Sequence, residues 1–406
     1  MQTSAYYINL ESQYGAHNYH PIPVVIEKGI GCEMWDVEGK KYLDFLSGYS
    51  AVNQGHCHPR IIEALKKQAE NLTLTSRAFY NNQLGEYEKY LTNLLGYDKL
   101  LPMNTGVEAV ETSIKLARRW AYTVKGIAEN KARIIVCEDN FHGRTSTVIS
   151  FSTDPASHHK FGPYMPGFDI IPYNDLGALE KALENKDVAA FLVEPIQGEA
   201  GIIVPDEGFL SNAKAMCANA NVLLIADEIQ TGLCRTGKML CCDHENVRPD
   251  ILVLGKALSG GTFPVSAVLA DDEIMLTIKP GEHGSTFGGS PLASIVAVES
   301  VKVLLDEGMA DNAEKMGHLL REGLRNINSP YIKTVRGKGL MNAIVINHKD
   351  PDAAWFLCET FMHNGLLAKP THGDKIRLAP PLVIDEARIK LALEIIEKSL
   401  ESLNNL

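Results

Sequence analysis

Four short stretches put reactive side chains where a buried strand ends or a helix begins. The apolar run Ile251-Leu252-Val253-Leu254-Gly255 leads straight into Lys256. A lysine partly withdrawn from water there has a depressed pKa and serves as an amine nucleophile. A solvated lysine at a strand end is the plain alternative. The run Val222–Asp227 continues as Glu228-Ile229-Gln230, so an acid stands at the mouth of a ligand crevice. Asn104-Thr105-Gly106-Val107-Glu108 reads as a capping box ahead of a helix with apolar Val107, Val110, Ile114 and Ala117. The free amides of such a helix start hold a phosphate, or simply take a cap. Phe141-His142-Gly143-Arg144, just after Arg133–Cys137, offers a ring to stack on a heterocycle and a guanidinium to grip a carboxylate. An amine, an acid, a phosphate cradle and a stacking ring are together what pyridoxal phosphate needs. The amine bonds the aldehyde, and the acid keeps the ring nitrogen protonated so that the ring acts as an electron sink.

The elements that must position these groups follow from the hydrophobic pattern. Arg133–Cys137, Ala190–Ile196, Val222–Asp227, Ile251–Leu254 and Val265–Ala270 are rich in Val, Ile and Leu without alternation, as in strands covered on both faces. Helical patterns over Val107–Tyr122, Leu176–Glu184 and Phe209–Ala220 lie between several of them. This alternation predicts an α/β layer architecture with a mostly parallel sheet. Residues 1–49 read as irregular with short β-like pieces. Beyond Pro291 the pattern turns to amphipathic helix over 310–327, Pro351–His363 and Asp385–Leu403, with strands at Lys333–Arg336, Asn342–Ile346 and Ile376–Ala379. The expected organisation is a large domain over 50–300 and a smaller α+β domain over 301–406, joined by the segment 1–49.

Composition narrows the function classes. The chain has 406 residues and a formal net charge of −11, which with no basic run disfavours nucleic acid as a partner. No stretch approaches the roughly 18 apolar residues of a membrane span. The N-terminal residues lack the marks of a secretory or mitochondrial leader, so the expectation is the cytoplasm, or the mitochondrial matrix if a presequence was removed. Eight cysteines with no C-x-x-C pair argue for a reducing compartment rather than a disulfide framework. Cys234, Cys241, Cys242 and His244 crowd together, but their spacing fits no standard zinc site, and no metal is expected. Cys234 and the 241/242 pair read as more exposed than Cys137 and Cys217, which sit in apolar runs. Gly55-His56-Cys57-His58-Pro59 reads as a structural turn, and His142 as a neighbour of the site without a role.

The segments LLIADEIQTGLCRTGKM and PDILVLGKALSGG resemble the signature of the class III (subgroup II) pyridoxal-phosphate-dependent aminotransferases. The likeness extends over essentially the whole chain, through NYHPIPVV, WDVEGKKYLDFLSGYSAVNQGHCHP, MNTGVEAVETSIKLAR, DNFHGRT, VEPIQGEAGI, STFGGSPLA and IRLAPPLVI. It implies a fold-type-I transferase with a seven-stranded sheet. It implies Lys256 as the lysine that bonds the cofactor and later moves the proton, with Asp227 on the ring nitrogen. Phe141 and Ile229 would cover the two ring faces, Gln230 would bond the ring hydroxyl, and Gly106 and Val107 would give amides to the phosphate. Ser285 and Thr286 would reach the phosphate of a neighbouring subunit's cofactor, which makes a homodimer obligatory. The same resemblance implies ornithine and 2-oxoglutarate as substrates, giving L-glutamate 5-semialdehyde and L-glutamate in a ping-pong cycle that feeds proline metabolism. Tyr19 and Arg144 would hold the ornithine head, with Tyr49 lining that end of the pocket. Arg377 would grip the 2-oxoglutarate α-carboxylate, and Glu199 would mask that arginine while ornithine is bound. The alternative is a sister enzyme acting on N-acetylornithine or 4-aminobutyrate, which carries other residues at the tyrosine positions. A non-catalytic binder on the same fold would have no use for Lys256 and Asp227.

Overall fold

The computed structural model describes residues 2–406, so Met1, the first residue of the expected N-terminal segment, lies outside the described residues. The first element is a helix, Ser4–Tyr14, rather than irregular chain. None of its residues is buried, and without an apolar stripe no helical period announces it in the sequence. Three short strands follow: β1 (Ile26–Ile30), β2 (Glu33–Asp36) and β3 (Lys41–Asp44).

The central sheet takes its strands from the middle of the chain: β4 (Lys99–Met103), β5 (Arg133–Cys137), β6 (Phe168–Ile171), β7 (Val188–Val193), β8 (Leu223–Asp227), β9 (Ile251–Leu254) and β10 (Ser266–Ala270). Their order is β4-β10-β9-β8-β7-β5-β6. Only β10 runs against its neighbours; the pairs from β9 to β6 are parallel. The two outermost strands, β4 and β6, are the ones the sequence pattern did not show. β4 contains Pro102, which is tolerated at a sheet edge, and β6 is only half buried. The apolar run expected to extend to Ile196 leaves the sheet after Val193, where Glu194-Pro195 break it.

Strands β7 to β10 are buried at every residue. Their side chains, like those of β5, still alternate between the two faces of the sheet. Ile134, Val136, Ala190, Leu192, Ile225 and Val253 pack with Val110, Ile114, Ala117 and Trp120 of the helix Gly106–Trp120. Ile135, Phe191, Val193, Leu224 and Ala226 pack on the other face with Leu179, Leu210, Ala213 and Cys217 of the helices Leu176–Leu183 and Phe209–Asn219. A sheet covered on both faces needs no polar alternation, which is why these runs are apolar throughout.

The C-terminal third adds β11 (Ile332–Lys338), β12 (Met341–Ile346), β13 (Leu366–Leu367), β14 (Lys369–Thr371) and β15 (Lys375–Leu378). β11-β12-β15-β14 form an antiparallel sheet, and β13 pairs with β3, so the N-terminal strands join the C-terminal part. The chain enters this part through one unbroken helix, Pro291–Asp306.

Candidate active site

Parallel strands aim their carboxyl ends at one edge of the sheet, and register decides what meets there. Asp227 pairs with Val253, which places Asp227 beside the stretch leading into Lys256. The helix Gly106–Trp120 starts directly after β4, the Phe141–Arg144 loop follows β5, and Glu194 follows β7. Gly106, Val107, Phe141, Asp227, Ile229, Gln230 and Lys256 line a single cavity of about 200 Å3, together with His142 and Glu194. A larger cavity, about 470 Å3, lies between Val204–Ser211 and Cys241–Asn246 and contains none of these groups.

The helix start has the expected box. Thr105 Oγ1 accepts from the Glu108 amide at 3.4 Å, and Glu108 Oε2 accepts from the amides of Thr105 (2.8 Å) and Asn104 (3.0 Å). The first amides of a helix have no partner within it, so those of Gly106 and Val107 remain for an anion. Gly143, at φ +119°, is where the next loop crosses this helix start; a Cβ there would collide with Val107.

Asp227 is buried and held in place. Its Oδ1 accepts from the Ile229 amide at 3.1 Å, and its Oδ2 faces His142 Nδ1 at 2.7 Å. Burial disfavours charge on His142, but the hydrogen bond to Asp227 and the charges of Asp227 and Glu194 together outweigh it and the histidine pKa is raised. The ring's Nε2 is buried without a partner. Glu194 accepts from the amides of Phe141 (2.9 Å) and Gly198 (3.1 Å), and burial pushes its pKa up to about 7. His142 is therefore more than a neighbour, and Glu194 was missed altogether. Glu194 had a legible signal, since it is the first polar residue after an apolar strand.

Lys256 is half-buried at the cavity. Desolvation, with Arg377 nearby and against the pull of Glu199, brings its pKa down to about 8. Beside it Arg377, on β15, meets Glu199 Oε1 at 2.9 Å through Nη2, while its Nε and Nη1 are buried without partners. Gln230 donates to the same Glu199 oxygen at 3.2 Å, and its own Oε1 is unpartnered. Burial works against the Glu199 carboxylate, yet the charges of Arg377 and Lys256 and the hydrogen bonds from Gln230 and Arg377 together outweigh it and its pKa is lowered. Tyr49 lies under the Arg377 guanidinium, 5.2 Å from centre to centre, and its phenol pKa is raised by burial and then by Glu199.

Other expected residues stand apart from the cavity. Arg144 is exposed, with its guanidinium 5.8 Å from the Phe141 ring centre, and Tyr19 is exposed beneath Lys369. Ser285 accepts from Asn104 Nδ2 at 2.6 Å, and Thr286 faces outward. The expected exposure of Cys234, Cys241 and Cys242 is wrong, because all three are buried. The short helix Cys241–Glu245 turns inward onto Glu228, whose carboxylate accepts from the Cys241 and Cys242 amides. Burial pushes the Cys234 thiol up to about 12. His56 pairs with Asp44 and His58 with Glu307, which ties the Gly55–Pro59 turn to two elements.

The donor set fits pyridoxal phosphate. It supplies a half-buried amine of lowered pKa, an acid fixed at the end of the adjacent strand, a helix start, and open hydrogen-bond capacity on Gln230. Fold and site together define a pyridoxal-phosphate-dependent transferase of fold type I. The chain matches the family described as aminotransferase class-III over residues 14–400, and it belongs to that family. It is 63% identical over 400 residues to the mitochondrial ornithine aminotransferase of Rattus norvegicus, covering 98% of this chain and 91% of that protein. It is 51% identical over 403 residues to ornithine aminotransferase of Plasmodium falciparum, covering 99% and 97%. Among solved structures, an ornithine aminotransferase from Toxoplasma gondii superposes with a TM-score of 0.98 at 49% identity, covering 99% of this chain and 95% of that one. An acetylornithine aminotransferase from Elizabethkingia anophelis superposes with a TM-score of 0.91 at 57% identity, covering 99% and 100%.

Proposed function

We propose that this chain transfers the δ-amine of L-ornithine to 2-oxoglutarate, giving L-glutamate 5-semialdehyde and L-glutamate. The observation that carries the reading is the pairing of buried Arg377 with half-buried Glu199 beside Lys256. Relatives at 51% to 63% identity named ornithine aminotransferase support it. When bound, pyridoxal phosphate supplies an electron sink for the carbon that bears the amine. Asp227, backed by His142, would face its ring nitrogen, with Phe141 and Ile229 on the two ring faces and Gln230 at the ring oxygen. The amides of Gly106 and Val107 would take the phosphate.

Lys256 Nζ, with its pKa near 8, accepts and returns a proton close to neutral pH, where an ordinary lysine stays charged. Tyr19 and Arg144 hold the ornithine head away from Lys256 so that the δ-amine arrives there. Glu199 keeps Arg377 from capturing the ornithine carboxylate. A charge-assisted pair is strong enough to hide the guanidinium, yet it exchanges for another carboxylate of equal charge. 2-Oxoglutarate makes that exchange, and the free Nε and Nη1 of Arg377 give its α-carboxylate additional donors. Arg144 takes the distal carboxylate.

The working unit in this reading is a homodimer, because Ser285 and Thr286 lie outside this chain's own cavity and serve that of a second copy. The small domain comprises 1–49 and 301–406, which the β3–β13 pairing supports. Among the described residues no helix is long and apolar enough to cross a membrane. The compartment, cytoplasm or matrix, is decided by fractionating cells that express the tagged chain.

The test follows the visible band of the bound cofactor. L-ornithine alone should bleach it and 2-oxoglutarate should restore it. Bleaching by N-acetylornithine or 4-aminobutyrate, with ornithine inert, would shift the assignment to a sister enzyme. The likeness to the Elizabethkingia structure makes N-acetylornithine the first competitor to try.

A further inference from the structure

The loop that carries Ser285 and Thr286 is clipped to the flank of the helix Gly106–Trp120. Thr112, Lys115 and Arg119, spaced three and four apart, share one helix face. Arg119 Nη2 meets Glu282 Oε1 at 2.7 Å, Lys115 Nζ meets His283 Nδ1 at 2.9 Å, and Thr112 Oγ1 meets His283 Nε2 at 2.8 Å. The chemistry of the donors fixes the ring. An ammonium can only donate, so Nδ1 accepts from Lys115. That leaves the proton on Nε2, which donates to Thr112 Oγ1. Thr112 sends its own hydroxyl hydrogen to the Glu108 carbonyl at 2.7 Å. Both imidazole nitrogens are used, and only the neutral ring in this one tautomer uses them so. Burial and the Lys115 charge both lower the His283 pKa, which favours that neutral form.

The clip acts on a loop whose other tethers near His283 are local, the Glu282 amide donating to the Lys279 carbonyl at 3.1 Å and Glu282 Oε2 accepting from the Lys279 amide at 2.8 Å. Gly281 and Gly284 flank Glu282-His283, and no atom lies within 4 Å of a Cβ built on either. Glycine in open space gives the loop wide conformational freedom. The Arg119–Glu282 pair is exposed on both sides, so solvent screens it. Of the His283 bonds the one to Thr112 is part-buried and the one to Lys115 exposed, and they stand two residues before Ser285. From there Asn104 Nδ2 holds Ser285 Oγ against the helix start.

We infer that His283 is a positioning residue for the cofactor phosphate in the second subunit, setting Ser285 and Thr286 at the height where they meet it. The inference rests on the reading that those two side chains serve the neighbouring site. It adds a link between the two sites of a dimer: the helix whose first amides would hold one phosphate carries on its flank the loop that serves the other.

The experiment measures how fast pyridoxal phosphate leaves the holoenzyme. Wild type, His283→Ala, His283→Gln, Lys115→Met and Thr286→Ala are loaded, desalted and chased with a carbonyl scavenger. Retained cofactor is read by absorbance, and the dimer by sedimentation. His283→Ala should lose cofactor roughly tenfold faster, the scale of one lost hydrogen bond to a charged group. Lys115→Met should follow it. Glutamine offers an acceptor and a donor in the same places, so His283→Gln should restore most of the retention. Thr286→Ala should also release faster. If Thr286→Ala releases faster while both His283→Ala and Lys115→Met keep the wild-type rate, the role of His283 is overturned and the loop reading stands. If Thr286→Ala and the clip variants all keep the wild-type rate, the loop reading itself falls. Fast release from His283→Ala with no rescue by glutamine, or release that tracks dissociation of the dimer, also overturns the positioning role.

Discussion

Glu199→Gln tests the gate at Arg377 with a change of one charge and almost no change of shape. Arg377 is 2% exposed and Glu199 21%, so their contact at 2.9 Å is poorly screened. Two unit charges about 4 Å apart attract by roughly 4 kcal/mol at an effective dielectric of about 20. Most of that is offset by desolvation, and a hydrogen bond to a charged group nets about 1.5–3 kcal/mol. Ornithine now meets an Arg377 guarded only by a neutral amide. Its α-carboxylate can settle there and bring the wrong amine to Lys256. Glutamate uses Arg377 in its normal mode and no longer has to displace a carboxylate. At about 1.4 kcal/mol per tenfold, the specificity ratio of glutamate over ornithine should rise roughly ten- to a hundredfold. Single-turnover half-reactions on the loaded enzyme measure it, each substrate mixed alone and the cofactor band followed. An unchanged ratio would refute the masking role of Glu199. A drop in both half-reactions by the same factor would make Glu199 a structural support instead.

His142→Phe keeps the ring volume and removes the bond to Asp227, so turnover should fall roughly tenfold or more with little change in KM, read by steady-state kinetics. Uptake of pyridoxal phosphate by the apoprotein should accelerate as pH rises through about 8 and then level off, because the Lys256 amine is neutral only above its lowered pKa; a rate that keeps climbing to the ordinary lysine range would contradict the burial argument. Arg235 is fully buried and donates to Asn53 Oδ1 and to the carbonyls of Leu340 and Pro380; Arg235→Met would orphan all three acceptors, and urea unfolding should show a loss of about 3 kcal/mol or more. A Cβ at Gly198 would collide with the Gln230 side-chain amide, so Gly198→Ala should displace that amide and speed release of pyridoxal phosphate from the holoenzyme.

The division between sequence and structure runs along the range of each interaction. Local chemistry was legible. The capping box at Thr105–Glu108 involves residues three apart, and any helix beginning there forms it. Strands β5, β8 and β9 show as unbroken apolar runs because a sheet covered on both faces asks for nothing else. Strands β4 and β6 sit at the sheet edges, where the demand for apolar residues is weaker and the pattern fades. The helix Ser4–Tyr14 buries nothing, so no periodicity marks it.

From its residues alone the chain determined an α/β sheet with an amine, an acid and an anion cradle at the strand ends, and hence the cofactor class. Tertiary structure decided what those groups are worth. The Asp227–His142 bond spans 85 residues and the Lys115–His283 contact 168. Desolvation of Lys256 lowers its pKa to about 8, and burial of Glu194 lifts a carboxyl to about 7. Burial also silences the thiols of Cys234, Cys241 and Cys242, which local sequence had left exposed. Dielectric environment and long-range pairing are properties of the packed chain, and no window of neighbouring residues contains them.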